Sequence, residues 1–286
     1  MGIVLGANEY GKAETRVVRI ARTTTGDGER HDIRDLNVST ALSGDFSAAH
    51  LAGDQSDVLP TDTQKNTVFA FAKENGVGEI EDFALTLAWH FVDEIEPVRG
   101  ARVEIDTYAW DRIEVDGRPH NHAFVRRGQE IRSTVVTADG SGVQVVSGLR
   151  DLVLLKSTGS EFKGFLKDRY TTLAETDDRI MATSLAARWR HTGTSVDWAA
   201  SYEGVRTRLL SRFAEVHSLA LQQTLWEMGR AVLEADPQIA EISLSAPNRH
   251  HFAVDLTPFG LDNPNEVFFA ADRPYGLIQA TITRDD

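Results

Sequence analysis

The chain has 286 residues, 41% of them hydrophobic, enough to build a sizeable core, which excludes a disordered chain and a disulfide-stapled miniprotein. It carries 43 acidic against 30 basic residues, a formal charge of −13, a poor match for the phosphates of DNA or RNA. A small anionic ligand stays open, because salt screens distant charges and one local Arg or Lys dominates a pocket.

The absence of cysteine removes thiol nucleophiles, iron–sulfur clusters and Cys-ligated zinc together. No run approaches the ~18 apolar residues of a membrane span. The first residues do not read as a signal peptide and the last do not read as a peroxisomal Ser-Lys-Leu address, so a cytoplasmic protein is expected.

From Glu14 to Ala21 polar and β-branched residues alternate as in a strand, and the polar stretch from Thr23 to Asp57 is expected to hold another strand and a long loop. Thr61-Asp62-Thr63-Gln64 places a Thr three residues before a Gln, the signature of a capping box opening a helix that Gly76 stops. Ile80, Phe83, Ala84, Leu87, Ala88, Phe91, Val92 and Ile95 then fall on one helical face, closed by Pro97. The period changes to two at Val103, Ile105 and Thr107, and Asp116-Gly117 reads as a hairpin turn. Strands are expected through Val135, Val143–Val146, Leu152–Leu155 and Ile180–Trp189. Two helices follow, one carrying Val205, Leu209, Phe213 and Val216, the other Leu221, Leu225, Met228 and Val232. Strands return at Ile242 and Leu244 and at His251–Leu256.

Each half thus runs strands, two helices, strands, the order of an α+β module with its helices on one face of an antiparallel sheet. Two tandem modules are expected, residues 1–140 and 141–286, without a flexible linker.

No G-x-G-x-x-G, Walker loop, G-x-S-x-G elbow or H-E-x-x-H is present. His120 and His122 share one face of an extended segment; that spacing suits a metal, but with no third ligand in sight a surface pair is the simpler reading. Lys12, just before a strand, reads either as a solvated lysine or as one reaching into a pocket, and spacing favours the first. Thr61 reads as a cap whose helix start also exposes N–H groups able to hold an anion or a carbonyl oxygen. Asn248-Arg249-His250-His251 leaves a strand start beside Pro247 and offers polar side chains for a pocket. Phe162 is either a core anchor or a stacking platform, Arg179 reads as a salt-bridged surface residue, and Gln222 as a residue serving a helix end.

Taken together, six ordered segments resemble the urate oxidase (uricase) family. They are Tyr10-Gly11-Lys12; Thr61-Asp62-Thr63-Gln64-Lys65-Asn66-Thr67; Lys156 through Leu166; Asp178-Arg179-Ile180; Leu221-Gln222-Gln223-Thr224; and Pro247-Asn248-Arg249-His250. The resemblance spans nearly the whole chain. It implies two tunnelling-fold (T-fold) modules per chain, assembled as a homotetramer into a barrel around a tunnel, with active sites shared between subunits. It also implies oxidation of urate by O2 and water, without metal or organic cofactor, to 5-hydroxyisourate and H2O2.

Carried over residue by residue, the resemblance makes Arg179 and Gln222 the grip on the pyrimidine edge of urate and Phe162 the stacking ring. Leu221 gives a backbone N–H. Thr61 and Asp62 give backbone N–H groups from the neighbouring subunit. Lys12, the Thr61 hydroxyl and His250 form a proton relay, and Asn248 with Thr61 holds O2 or water. The competing readings are a metal-dependent T-fold enzyme of pterins or purines, with His120 and His122 as ligands, and a non-catalytic purine-binding protein.

Overall fold

Strand β1 (Tyr10–Thr25) pairs antiparallel with β2 (Gly28–Gly44) along most of its length. In β2, Leu36, Val38, Thr40 and Leu42 are buried while Asn37, Ser39 and Ala41 are less so, the period of two that puts one face on a core. The stretch from Thr23 to Asp57, expected to hold another strand and a long loop, is strand from Gly28 to Gly44. Many of its polar residues, which suggested a loop, are more exposed, but Asp35 and Thr40 are buried. A short helix with no buried residue, α1 (Ser47–Ala52), follows. A computed structural model describes residues 2–26, 28–271 and 273–285 of the chain.

Two longer helices come next, α2 (Thr61–Glu74) and α3 (Ile80–Glu94). Burial in α3 falls on Ile80, Glu81, Phe83, Ala84, Leu87, Ala88 and Phe91, the stripe read from the sequence with Glu81 added and with Val92 and Ile95 only partly buried, and its apolar residues pack with Leu36, Val38, Val103, Ile105 and Val136 into one core. The expected capping box does not form: Pro60 precedes the helix, Thr61 is its first residue, and no side chain caps it. Instead the Gln64 side chain is drawn inward, its Oε1 accepting a hydrogen bond from Thr40 Oγ1 at 2.7 Å.

Strand β3 (Val98–Thr107), the hairpin β4 (Trp110–Val115) and β5 (Arg118–Arg126), and β6 (Ile131–Asp139) follow in the first unit. The hairpin turns at Asp116-Gly117, both in the left-handed region with φ of 51° and 73°, as an Asp-Gly turn requires. Side by side lie β1, β2, β3 and β6, each antiparallel to the next. Residues Gly193–Trp198 also belong to this unit, where Trp198 Nε1 donates to Asp82 Oδ1 at 2.7 Å.

The boundary between the two units, Gly148/Leu149, falls inside β7 (Gly142–Lys156), a single strand joining the two expected ones. The second unit adds β8 (Met181–His191), α4 (Trp198–Glu215) from Ala199 on, α5 (Leu221–Ala235), β9 (Ile239–Asn248), the short pair β10 (His251–Ala253) and β11 (Phe268–Ala270), and β12 (Gly276–Thr283). Here β8, β9 and β12 are antiparallel neighbours. Leu209, Phe213, Leu225, Met228 and Val232 from the helices meet Leu185, Trp189, Ile242 and Leu244 in a second core. Helix α5 lies so close to the sheet that a Cβ on Gly229 would stand 2.6 Å from Ile282 Cδ1. The strand expected over His251–Leu256 stops at Ala253, ahead of a 3-10 turn at Thr257–Phe259. The order strands, two helices, strands recurs in each unit, and the fold is α+β with antiparallel sheets. No helix among the described residues is long and apolar enough to cross a membrane.

At the end of β8, burial pushes the His191 imidazole down to about 4, against a smaller opposing pull from Asp236. The unfolded chain takes up this proton near pH 6.5 while the folded one resists until about pH 4. His191 therefore costs nothing above pH 6.5, and stability drains away as pH falls through that window, by about 3 kcal/mol in all. A His191→Gln variant is expected to lose this part of the acid slope in denaturant titrations between pH 7 and pH 4. An unchanged difference between the two curves across that range would contradict the assignment.

Candidate active site

Lys12 leaves β1 where the pairing is about to break: it faces Thr40 across the ladder, and the register slips between Lys12 and Thr15. Glu14, inside this bulge, has φ of 56° and donates its N–H to Ser39 Oγ at 2.9 Å. A bulge re-aims the side chains beside it. Helix α2 packs against β1 and brings Asp62 close enough for the Lys12 ammonium to help lower its pKa, after the larger effect of Lys65. The Asp62 carboxylate is occupied on the helix surface, accepting from Lys65 Nζ and from Asn66 Nδ2. This accounts for the spacing of the Thr-Asp-x-x-Lys-Asn segment. The Asp62 backbone N–H is one of the first-turn donors without a partner in the helix, at an N-terminus that favours negative charge.

In the second unit the polar run 157–180 forms no extended strand but folds back on itself. Phe162 and Thr176 exchange two backbone hydrogen bonds, 2.9 and 3.0 Å, and Arg179 N donates to Ser160 O at 2.8 Å. Asp178 fastens the start of the run, its carboxylate accepting from Thr158 Oγ1 at 2.7 Å and from Gly159 N at 2.9 Å; these donors hold its pKa below the usual range. The result places the Arg179 guanidinium 5.0 Å over the Phe162 ring, which itself stacks on Phe165 at 4.9 Å. Arg179 is not the surface salt bridge its neighbours suggested. It is half-buried, its Nε has no hydrogen-bond partner, no carboxylate pairs with it among the described residues, and burial lowers its pKa.

The same run is tied to the entrance of α5. Glu161 N donates to Ser218 O at 2.8 Å and Ser218 N to Gly159 O at 2.9 Å, while Thr224 Oγ1 donates to Ser218 Oγ at 2.8 Å. A second tie joins Glu161 Oε1 and His217 Nε2 at 2.9 Å. Leu221 is the first residue of α5, preceded by an extended Ala220 with no side-chain cap, so its N–H has no partner within the helix. Gln222 does not serve the helix end. That task falls to Gln223, whose Oε1 accepts from Leu219 N at 2.9 Å, and Gln222 is exposed.

Asn248 ends β9, opposite Thr183 on one side and Gly276 on the other. His250 follows, anchored through its carbonyl by Ala271 N at 2.9 Å. Its pKa is lowered first by burial and then by the positive charge of Arg179, which keeps the ring neutral and able to accept a proton. Phe162, Arg179 and His250 are thus brought together in the second unit, and the start of α5, which carries Leu221 and Gln222, is tied to the same run through Ser218 and Thr224. Lys12, Thr61 and Asp62 form a separate group in the first unit.

His120 and His122 lie edge to face at 4.5 Å on β5, but no group of three or more His, Asp or Glu among the described residues is arranged to hold a metal ion. Sequence reasoning missed Thr40, Ser218 and the Glu161–His217 pair, and read Gln64 as a capping residue. No spacing signal marks the partnerships these residues make, because each is made with a residue distant in the chain.

The uricase family model matches residues 8–137 and 145–279. The chain belongs to the uricase family. It is 56% identical to the uricase of Arthrobacter globiformis over 99% of this chain and 91% of that protein, and 38% identical to the uricase of Danio rerio over 96% and 93%. The crystal structure of the Arthrobacter globiformis uricase superposes with a TM-score of 0.94, covering 100% of this chain and 96% of that one at 55% identity. A urate oxidase from Bacillus sp. TB-90 shares the fold at 22% identity, with a TM-score of 0.84 over 97% of this chain and all of its own. As a uricase-family oxidoreductase the chain has the two tandem T-fold modules expected, since the two matched segments of the family model fall one in each half.

Proposed function

We propose that the chain oxidises urate with O2 and water to 5-hydroxyisourate and H2O2, without a metal or organic cofactor, in the cytoplasm, as a homotetramer that forms a barrel around a tunnel. The observation that carries this reading is Arg179, a half-buried guanidinium lacking a carboxylate and poised over Phe162, a receptor for a flat anion. Membership of the uricase family identifies that anion as urate.

Arg179 and Gln222 hold the pyrimidine edge through directional hydrogen bonds, Phe162 lies along the ring, and the Leu221 N–H meets an oxygen of urate. The backbone N–H groups of Thr61 and Asp62, supplied by a neighbouring chain, meet the imidazole edge. Lys12, the Thr61 hydroxyl and neutral His250 pass the proton that leaves urate. The deprotonated ring gives two electrons to O2, which takes the relayed proton and a second one released by the water that adds at the oxidised carbon, and leaves as H2O2. Asn248 and Thr61 hold first O2, then that water. Because Lys12 and Thr61 come from one chain and His250 from the next, a complete site requires assembly.

The test is the loss of the ultraviolet absorbance of urate, with one H2O2 formed per urate, by assembled protein in metal-chelated buffer. Absence of turnover there would reject the proposal.

A further inference from the structure

Helix α2 buries Gln64, Val68 and Ala72 on one face, so a carboxamide heads a stripe that is otherwise apolar. Gln64 is 0% exposed. Its Oε1 accepts from the buried Thr40 hydroxyl at 2.7 Å, and its Nε2 donates to Leu59 O at 3.5 Å. Each partner leads to the relay. Thr40 is the ladder partner of Lys12, and its carbonyl is pressed so tightly against the strand that a Cβ on Gly11 would stand 1.7 Å from it. Leu59 lies two residues before Thr61, and Gln64 itself is one helical turn after it.

A buried amide and hydroxyl add little net stability, since two apolar side chains of the same shape serve a core about as well. What the pair supplies is a directional link between two elements that could otherwise slide. We propose that Gln64 is a positioning residue that, through Thr40, sets the Thr61 hydroxyl against Lys12 for proton transfer. This inference rests on the proposed relay through Lys12 and Thr61.

The experiment compares Thr40→Val, Gln64→Leu and the double variant with the parent, reading thermal midpoint, kcat, and affinity for a non-oxidisable urate analogue. Each single change leaves one buried polar group unpaired and lowers the thermal midpoint, and the double change restores much of it. In the double variant kcat stays roughly ten- to a hundredfold below the parent, as a small misplacement of a reacting group produces, while analogue affinity stays within about twofold. A double variant with both thermal midpoint and kcat restored would overturn the proposal and leave Gln64 as core filling.

If the double variant does not fold, Thr40→Ser against Thr40→Val decides. Keeping the hydroxyl is expected to keep kcat and losing it to lower kcat, and equal kcat in the two contradicts the proposal. Lys12→Met runs alongside. Full turnover in that variant removes the relay itself, whereas loss of turnover there with none in the Gln64 and Thr40 variants removes only this inference.

Discussion

Lys12→Met is expected to lower kcat for urate at least about a hundredfold, the usual worth of a positioned acid–base group, while a non-oxidisable urate analogue binds within about twofold of the parent affinity. Methionine keeps the length and most of the packing of the lysine stem and removes only the ammonium. The grip on the ligand is assigned to Arg179, Gln222 and Phe162, none of which Lys12 supports. Thr61→Ala is expected to act in the same way, and the double variant to fall little further, because groups that work as one relay are not additive. Single-turnover absorbance traces beside analogue titrations separate chemistry from binding. Parallel loss of turnover and analogue affinity would mean that Lys12 binds the ligand rather than moving its proton.

Gly11→Ala is expected to be far more damaging than one methyl group suggests. The added Cβ would meet Thr40 O at 1.7 Å, Thr40 C at 2.6 Å and Ala41 Cα at 2.7 Å. All three are backbone atoms of β2 near the start of the β1–β2 ladder, where Gly11 pairs with Ala41, so no side chain can swing aside and the strands must part. Overpacking of this kind costs about 3 kcal/mol or more, and the separation occurs beside Lys12, so activity falls with stability. Gly193→Ala, where nothing lies within 4 Å of the added atom, is the control and is expected to stay within about 0.5 kcal/mol of the parent. Chemical denaturation of the three proteins measures this, and Gly11→Ala as stable as the control would refute the close approach of the strands.

What could be read from the sequence depended on how local the determining physics was. The stripe of α3 and the alternation in β3 are one-dimensional patterns fixed by burial of a single face, and the structure reproduces both. Strand β2 interleaves its buried Leu36, Val38 and Leu42 with polar residues and buries Asp35 and Thr40 as well, which blurs its hydrophobic period. Strand β12 does alternate, Ile278, Ala280 and Ile282 against Gln279, Thr281 and Thr283, a short signal that sequence reasoning passed over. Thr61 and Gln64 match a capping box in spacing, yet Pro60 enters the helix without a cap and Gln64 finds Thr40 instead; that preference depends on a strand 24 residues away.

The site divides along the same line. Lys12, Thr61, Arg179 and His250 were legible only as parts of motifs resembling a family. The reason Arg179 stands over Phe162 lies in the Phe162–Thr176 bridge and the Asp178 clamp, pairings that form only once the run 157–180 has folded back. Spacing alone made Arg179 a surface residue, because the acidic neighbours that suggested a salt bridge are used elsewhere: Asp177 by Lys163 at 2.7 Å and Asp178 by the Thr158 turn.

The central claim is that Lys12 of one chain and His250 of another act on the same urate. It is tested most directly by mixing two inactive proteins, Lys12→Met and His250→Asn, under conditions that let subunits exchange, and measuring urate oxidation. Random pairing of equal amounts leaves half the pairs mixed, with one intact site in two, so activity is expected to rise to about one quarter of the parent value. Mixed oligomers that form yet show no more activity than their inactive parents would contradict the shared site.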